Sequence, residues 1–220
     1  MAITLREASE EDLPAVGRIS AGVLPLSSSI LFPAVPGGAT AEQRLADEAQ
    51  WRAERTGQKM RQGNPMFVAI DSDDPSENVL GFALWEKPKP GGEGASAEYY
   101  NPPKLAHPPS LDVKAFEGMV ETIVAKEKET MGKAGLVIED LWSLQALAVD
   151  PGSRRRGIGK LLLQWGMEAV AAEGKVCYLS ATPEGKLLYQ SQGWQLLHEF
   201  DWAFERCSIM VYNYNDTAQR

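Results

Sequence analysis

From Ile3 to Ala8 polar and apolar side chains alternate, ITLREA, with the two-residue period of a half-buried strand. The period then lengthens. Ser9 stands three residues before Asp12, a helix-capping signature, and Leu13, Val16, Ser20 and Val23 share one face of the helix that follows. Residues 25–40 are rich in Pro, Gly and Ser and predict a loop, and AEQRLADEAQWRAERTG predicts a second helix running to about Gly57. MFVAID (66–71) and NVLGFALWEK (78–87) read as two strands joined by a turn at DSDDPSE.

Between Pro88 and Ser110 the periodicity lapses into a stretch with six prolines and three glycines. Loops beyond about 12–15 residues are uncommon in compact domains and are either functional or disordered. Helix signals resume at Ser110, where Val113, Phe116, Val120, Ile123 and Val124 form an apolar stripe expected to face a core. After GKAG, the segment EDLWSLQALAVD (139–150) predicts a long strand. It leads into a basic turn and a helix with Ile158, Leu161, Leu162, Trp165 and Ala169 on one face. No repeat and no second hydrophobic core stands out. Residues 1–220 therefore read as a single mixed α/β domain with a Pro/Gly-rich insertion at about 88–110.

Charge narrows the possible partners. The chain has 30 acidic and 22 basic side chains, a net charge of −8, and the basic residues do not cluster beyond Arg154–Arg156. That distribution argues against nucleic acid. The opening MAITLREASEEDL lacks the basic and apolar regions of a signal peptide. No apolar run reaches the roughly eighteen residues of a membrane span. A cytoplasmic protein without a membrane partner is expected, with Cys177 and Cys207 as reduced core thiols. His107 and His198, with no cysteine spacing beside them, predict no metal site and read as surface or core residues.

The densest positive charge lies in RRRGIGKLLL (154–163), at a strand–loop–helix joint. The first turn of a helix presents unpaired N–H groups and the positive end of its dipole. Glycines at 157 and 159 clear side chains from those amides, and Arg154, Arg155 and Arg156 add charge outside. Such a joint suits a pyrophosphate. A Walker loop would need a hydroxyl where Leu161 stands, and a dinucleotide fingerprint a third glycine where Leu162 stands. The spacing that fits is R-x-x-G-x-G, at Arg154, Gly157 and Gly159.

In its surroundings, LQALAVDPGSRRRGIGKLLLQWGMEAVAAEG followed by KVCYLSATPEGKLLYQSQGWQLL, this pattern closely resembles the coenzyme-A-binding core of the Gcn5-related N-acetyltransferases (GNAT). The resemblance covers residues 139 to about 199 and leaves the 88–110 stretch unexplained. It implies a mixed, mostly antiparallel sheet with a V-shaped splay, flanked by helices. It also implies that the pantetheine arm of acetyl-CoA pairs with backbone around Leu147, Ala148 and Val149. The pyrophosphate would rest on amides from Arg154 through Arg155, Arg156, Gly157, Ile158 and Gly159 to Lys160.

Tyr189 corresponds to the family tyrosine that protonates the departing thiolate, beside its plainer reading as a core residue. Thr182 stands where many members carry an asparagine that touches pantetheine. Ser143 stands where protein-lysine acetyltransferases carry their glutamate base. Glu139, farther up the strand on the same face if the pleat is regular, is the nearest carboxylate for that role, with Asp140 pointing the other way. Trp85, Tyr99, Tyr100 and Trp142 are candidates for an acceptor pocket as well as for the core. The resemblance thus implies a metal-independent acetyl transfer to a primary amine by direct attack. From the acidic net charge, a small cationic acceptor is expected. Alternatives are a protein lysine or N-terminal acetyltransferase and a non-catalytic acyl-CoA-binding regulator.

Overall fold

The computed structural model describes residues 2–23, 29–74, 76, 78–89, 105–202 and 205–213. Strand β1 (Ile3–Glu7) leads through a 3₁₀ turn at Glu10–Asp12 into helix α1 (Leu13–Val23). Asp12 closes the turn by accepting from the Ser9 amide and from Arg6, each within 2.8 Å. The predicted loop at 25–40 contains helical residues at 29–31. Helix α2 (Ala41–Arg61) follows, capped reciprocally by Thr40 and Gln43.

Helix α2 continues past Gly57, where the sequence predicted its end. The glycine serves packing rather than termination. A Cβ there would lie 2.6 Å from Leu13 Cδ1, and one at Gly17 would lie 2.1 Å from the Ala49 carbonyl oxygen. These two glycines let α1 and α2 approach closely.

Next come β2 (Met66–Asp71), β3 (Val79–Glu86), helix α3 (Val113–Lys133) and β4 (Trp142–Val149). Helix α4 (Ile158–Ala172), β5 (Cys177–Ala181), helix α5 (Pro183–Ser191), β6 (Gln195–Trp202) and β7 (Glu205–Tyr212) complete the chain's described elements. The seven strands form one sheet in the order β1-β2-β3-β4-β5-β7-β6. Strands β4 and β5 run parallel, and the other neighbours are antiparallel.

Each face of the sheet has its own cover. Helix α4 packs on one face over Ala83, Trp85, Trp142, Leu144 and Leu179. Helix α1 covers Val68, Ile70, Phe82 and Leu84 on the other. The stripe of α3 also faces a core, with Phe116, Val120 and Val124 meeting Leu31, Phe32 and Trp51. The C-terminal end of α3, at Met131, packs on Tyr178, Ile209 and Val211. Trp85 and Trp142 are buried in the α4-side core rather than lining a pocket, and the other two candidates, Tyr99 and Tyr100, lie outside the described residues. At Gly166 the backbone of α4 lies against the Trp85 ring, because a Cβ there would stand 2.1 Å from Trp85 Cε2.

One irregularity shapes β4. Leu84 faces Ala146 and Trp85 faces Leu144, so Gln145 is the extra residue of a β-bulge. The bulge reverses the strand's alternation. Trp142 and Leu144 point to the α4 side before it, whereas Leu147 and Val149 point there after it. Ala146 and Ala148 turn to the α1 side.

The predicted strand start is also corrected. Residues Ile138–Asp140 form a 3₁₀ turn, closed by the Asp140 amide on the Val137 carbonyl and the Leu141 amide on the Ile138 carbonyl. Glu139 therefore stands ahead of the strand, outside the regular pleat assumed for it. Among the described residues no helix is long and apolar enough to cross a membrane.

Candidate active site

The parallel pair at the middle of the sheet is short. Among the described residues, β4 and β5 pair only at Trp142 with Cys177 and Ser143 with Tyr178. Beyond Ser143 the strands part, giving the splay. The β4 edge from Leu144 to Val149 then has no strand partner on that side, so its main-chain groups can take an extended ligand.

A cavity of about 350 Å³ fills the splay. One wall is Leu144–Ala148 of β4 and the other is Tyr178–Thr182 of β5 and its following turn. Helix α2 contributes Arg52, Arg55 and Lys59, helix α3 contributes Met119, Ile123 and Glu127, and Tyr189 enters from α5. Phe200, Trp202, Glu205 and Cys207 close the far side. Of the predicted site residues, Leu147, Ala148, Thr182 and Tyr189 meet here. Glu139 is not among the lining residues.

The basic turn lies beyond the cavity, where β4 ends. Gly157 is the N-cap of α4 in the left-handed conformation, φ +81°, which glycine adopts without steric cost. The Leu161 amide makes the first helical bond, to the Gly157 carbonyl at 3.0 Å. The amides of Ile158, Gly159 and Lys160 precede it and belong to the set with no acceptor inside a helix. A Cβ on Gly157 would meet nothing within 4 Å, so the space over those amides is open. Arg154, Arg155 and Lys160 are exposed and Arg156 is half-buried around it. The Ile158 side chain is core, leaving only its main chain to the site. Gly159 ties the turn to the cavity: a Cβ there would sit 3.2 Å from Leu188 and 3.8 Å from both Leu147 and Val149. Open space, unpaired amides and surrounding cations fit a pyrophosphate.

Thr182 is the N-cap of α5, and Tyr189 lies two turns further along that helix. Burial raises the Tyr189 phenol above its ordinary value, so it remains protonated at neutral pH. Its ring packs against Trp194 at 5.8 Å. Tyr189 thus belongs to the core and also lines the cavity.

The sequence did not single out the charged groups on the helical side. Lys59 donates to Gln145 Oε1 at 3.0 Å, and Gln145 Nε2 donates to Ser143 Oγ at 2.6 Å. Burial holds the Lys59 ammonium well below the usual lysine range, against the attraction of Glu86 and Glu127. The Ser180 hydroxyl donates to Glu127 at 2.7 Å. Burial, with Glu127 and Glu86 nearby, pushes the Tyr178 phenol up. Arg52 pairs with Glu48 at 2.7 Å, while Arg55 stacks on Trp51 at 4.7 Å and Phe116 at 4.8 Å. Cys207 is pushed up to about 11 by burial and by Glu205 and Asp201. One periodic signal could have found Glu127. Glu127 falls three residues after Val124 and seven after Val120, on the apolar stripe itself.

The expected negative acceptor side is not what lines the cavity. Arg52, Arg55 and Lys59 stand there against Glu127 and Glu205. A net charge is dominated by exposed carboxylates and does not report a buried local set.

Residues 119–196 match the family model described as an acetyltransferase (GNAT) domain. No curated protein sequence matches the chain. Among solved structures, a mosquito arylalkylamine N-acetyltransferase like 5b is 17% identical with a TM-score of 0.61, over 96% of this chain and 99% of that one. An acetyltransferase from Corynebacterium glutamicum, described as histone acetyltransferase HPA2 and related acetyltransferase, is 16% identical with a TM-score of 0.59, over 96% of both chains. A ribosomal-protein alanine N-acetyltransferase of Escherichia coli is 15% identical with a TM-score of 0.50, over 96% of this chain and 92% of that one. At these identities the likeness is one of fold.

Proposed function

For a chain that carries the acetyltransferase domain of the GNAT superfamily, we propose transfer of an acetyl group from acetyl-CoA to the primary amine of a small molecule. One observation carries this reading. The open edge of β4 and the Tyr189 side chain border the same cavity, and the same strand runs out to the glycine-capped amides of α4. A cavity of about 350 Å³ lies in the range of roughly 300–1,000 Å³ seen for small-molecule sites. The single sheet that includes both β1 and β7 supports one domain over residues 1–220. Cys177 and Cys207, both free thiols, suit the cytoplasm.

The residues divide the work along β4. Amides of Arg154 to Lys160, with Gly157 and Gly159 clearing the approach, hold the pyrophosphate of the cosubstrate. The main chain at Leu147, Ala148 and Val149 and the hydroxyl of Thr182 hold its extended arm. This fixes the thioester near the start of the splay. The acceptor nitrogen attacks the carbonyl carbon directly, since a thioester needs no further activation. Tyr189, kept protonated by burial, donates its proton to the departing sulfur.

Incubation with acetyl-CoA and a panel of primary amines tests the proposal by release of free thiol. Thiol release that depends on the amine, with the acetylated amine found by mass, is expected. Binding of coenzyme A without turnover on any small amine or peptide would make the protein an acyl-CoA-binding regulator. Turnover on peptides alone would make it a protein acetyltransferase.

A further inference from the structure

Helix α3 carries a carboxylate into the protein's interior. Glu127 continues the buried face of Phe116, Val120 and Val124 and is 2% exposed. A leucine there would be buried at no electrostatic cost, whereas a carboxylate must be compensated for the water it loses. It is held from β5 by the Ser180 hydroxyl at 2.7 Å. Both side chains line the cavity at the crotch of the splay, opposite Leu144–Ala148.

We propose that Glu127 is the catalytic base, taking a proton from the acceptor's ammonium, with Ser180 orienting its carboxylate. The inference rests on the acetyltransferase reading above, which leaves the base unassigned. Ser143 lacks the basicity, and Glu139 sits in the 3₁₀ turn outside the cavity lining. The base thus comes from the segment between β3 and β4, not from β4.

The charged neighbours permit it. From α2 come Arg52, Arg55 and Lys59, from the end of β3 come Glu86 and Lys89, and from β5 comes Tyr178. A full ammonium at Lys59 would weaken Glu127 as a base, and burial makes that ammonium easier to deprotonate. Glu86 adds negative potential from the sheet side.

The step balances without a further reactant. An alkylammonium with a pKa like that of lysine is neutral in only about one molecule in a few thousand at pH 7. Glu127 takes one proton from R–NH₃⁺, and the lone pair left on nitrogen forms the bond to the carbonyl carbon. The carbon–sulfur bond breaks, its electron pair leaving with sulfur. Tyr189 supplies the proton for the thiol and recovers one from the nitrogen of the adduct, which becomes the amide. The first proton passes from Glu127 to water.

The test compares Glu127→Gln with the unaltered protein across pH, using one strongly basic and one weakly basic acceptor. Removing a general base should lower kcat for the strongly basic amine by about 10²–10⁴-fold. The acid limb set by Glu127 should give way to a rise of about tenfold per pH unit toward the acceptor's own pKa, while the KM for acetyl-CoA holds. The weakly basic amine, already neutral at the assay pH, should recover most of the rate. Glu127→Asp, which keeps the carboxylate, should keep the acid limb at reduced kcat. A Glu127→Gln protein with kcat within a few-fold and the same limb overturns the assignment. On the unaltered protein alone, identical acid limbs for both acceptors overturn it too, whatever the variants do. Absence of transfer to any amine by the unaltered protein would instead defeat the acetyltransferase reading itself.

Discussion

Lys59 Nζ on helix α2 donates to Oε1 of Gln145, the bulge residue of β4, at 3.0 Å. A long cationic side chain is thereby anchored in the sheet's central opening, where it is 9% exposed. That burial has a thermodynamic signature.

In the unfolded chain Lys59 keeps its proton up to the ordinary lysine range near 10.4. In the folded protein it releases the proton earlier, because burial penalises the charge. Between the lowered folded value and the ordinary one, the unfolded state holds more protons, so Lys59 makes stability rise with pH through that window. Lys59→Met should remove this rise. Urea unfolding of both proteins from neutral pH to about pH 10, just below the ordinary lysine value, measures it, and parallel stability curves would contradict the burial argument.

Gly157 should be the most sensitive point of the basic turn. Its φ of +81° disfavours any side chain, by roughly 1–2 kcal/mol for the left-handed region. A carboxylate added there would also meet the phosphates. Gly157→Glu should weaken coenzyme A binding at least about tenfold, equivalent to about 1.4 kcal/mol. Gly157→Ala serves as the control for backbone strain. Calorimetric affinity unchanged in Gly157→Glu would remove the turn from the binding site.

Tyr189→Phe should lower kcat by about 10²–10⁴-fold with coenzyme A affinity near normal. The phenol has no carboxylate or amine among the causes of its raised value, only burial. Thermal stability should therefore change little when the hydroxyl goes. Full turnover in a folded variant would return Tyr189 to a packing role against Trp194.

Gly166→Ala tests the seat of α4 on the sheet. Its Cβ would stand 2.1 Å from Trp85 Cε2, and Trp85 is itself fully buried. Overpacking of this kind costs about 1–3 kcal/mol, and each kcal/mol lowers Tm by about 2–4 °C in a domain of this size. A melting temperature within about a degree of the unaltered protein's would mean that the helix can lift without loss.

Where periodicity and local chemistry act alone, the sequence is a good guide. ITLREA, MFVAID and the α3 stripe form the elements their spacing predicts, and Gly157 caps a helix as its place in R-x-x-G-x-G suggested. The misses arise where a partner decides. Gly57 looked like a stop because its close contact with Leu13 is not written nearby. Glu139 was placed by extending a pleat that local 3₁₀ bonds end at Asp140. Trp85 and Trp142, left between pocket and core by the sequence, are core because α4 packs over them. The cavity's cations come from α2, far from the cofactor motif, and only the folded chain brings Arg52, Arg55 and Lys59 to β4.

The bulge at Gln145 also sets what kind of genetic change β4 tolerates. Loss of that single codon would set Ala146 next to Leu144, opposite Leu84 and Trp85, and restore unbroken alternation. Leu147 and Val149 would stay beneath α4, and Ala146 and Ala148 would stay on the other face. What would go is the acceptor that holds Lys59 Nζ. In a regular strand the loss of one triplet acts like a frameshift of faces; here the bulge absorbs it.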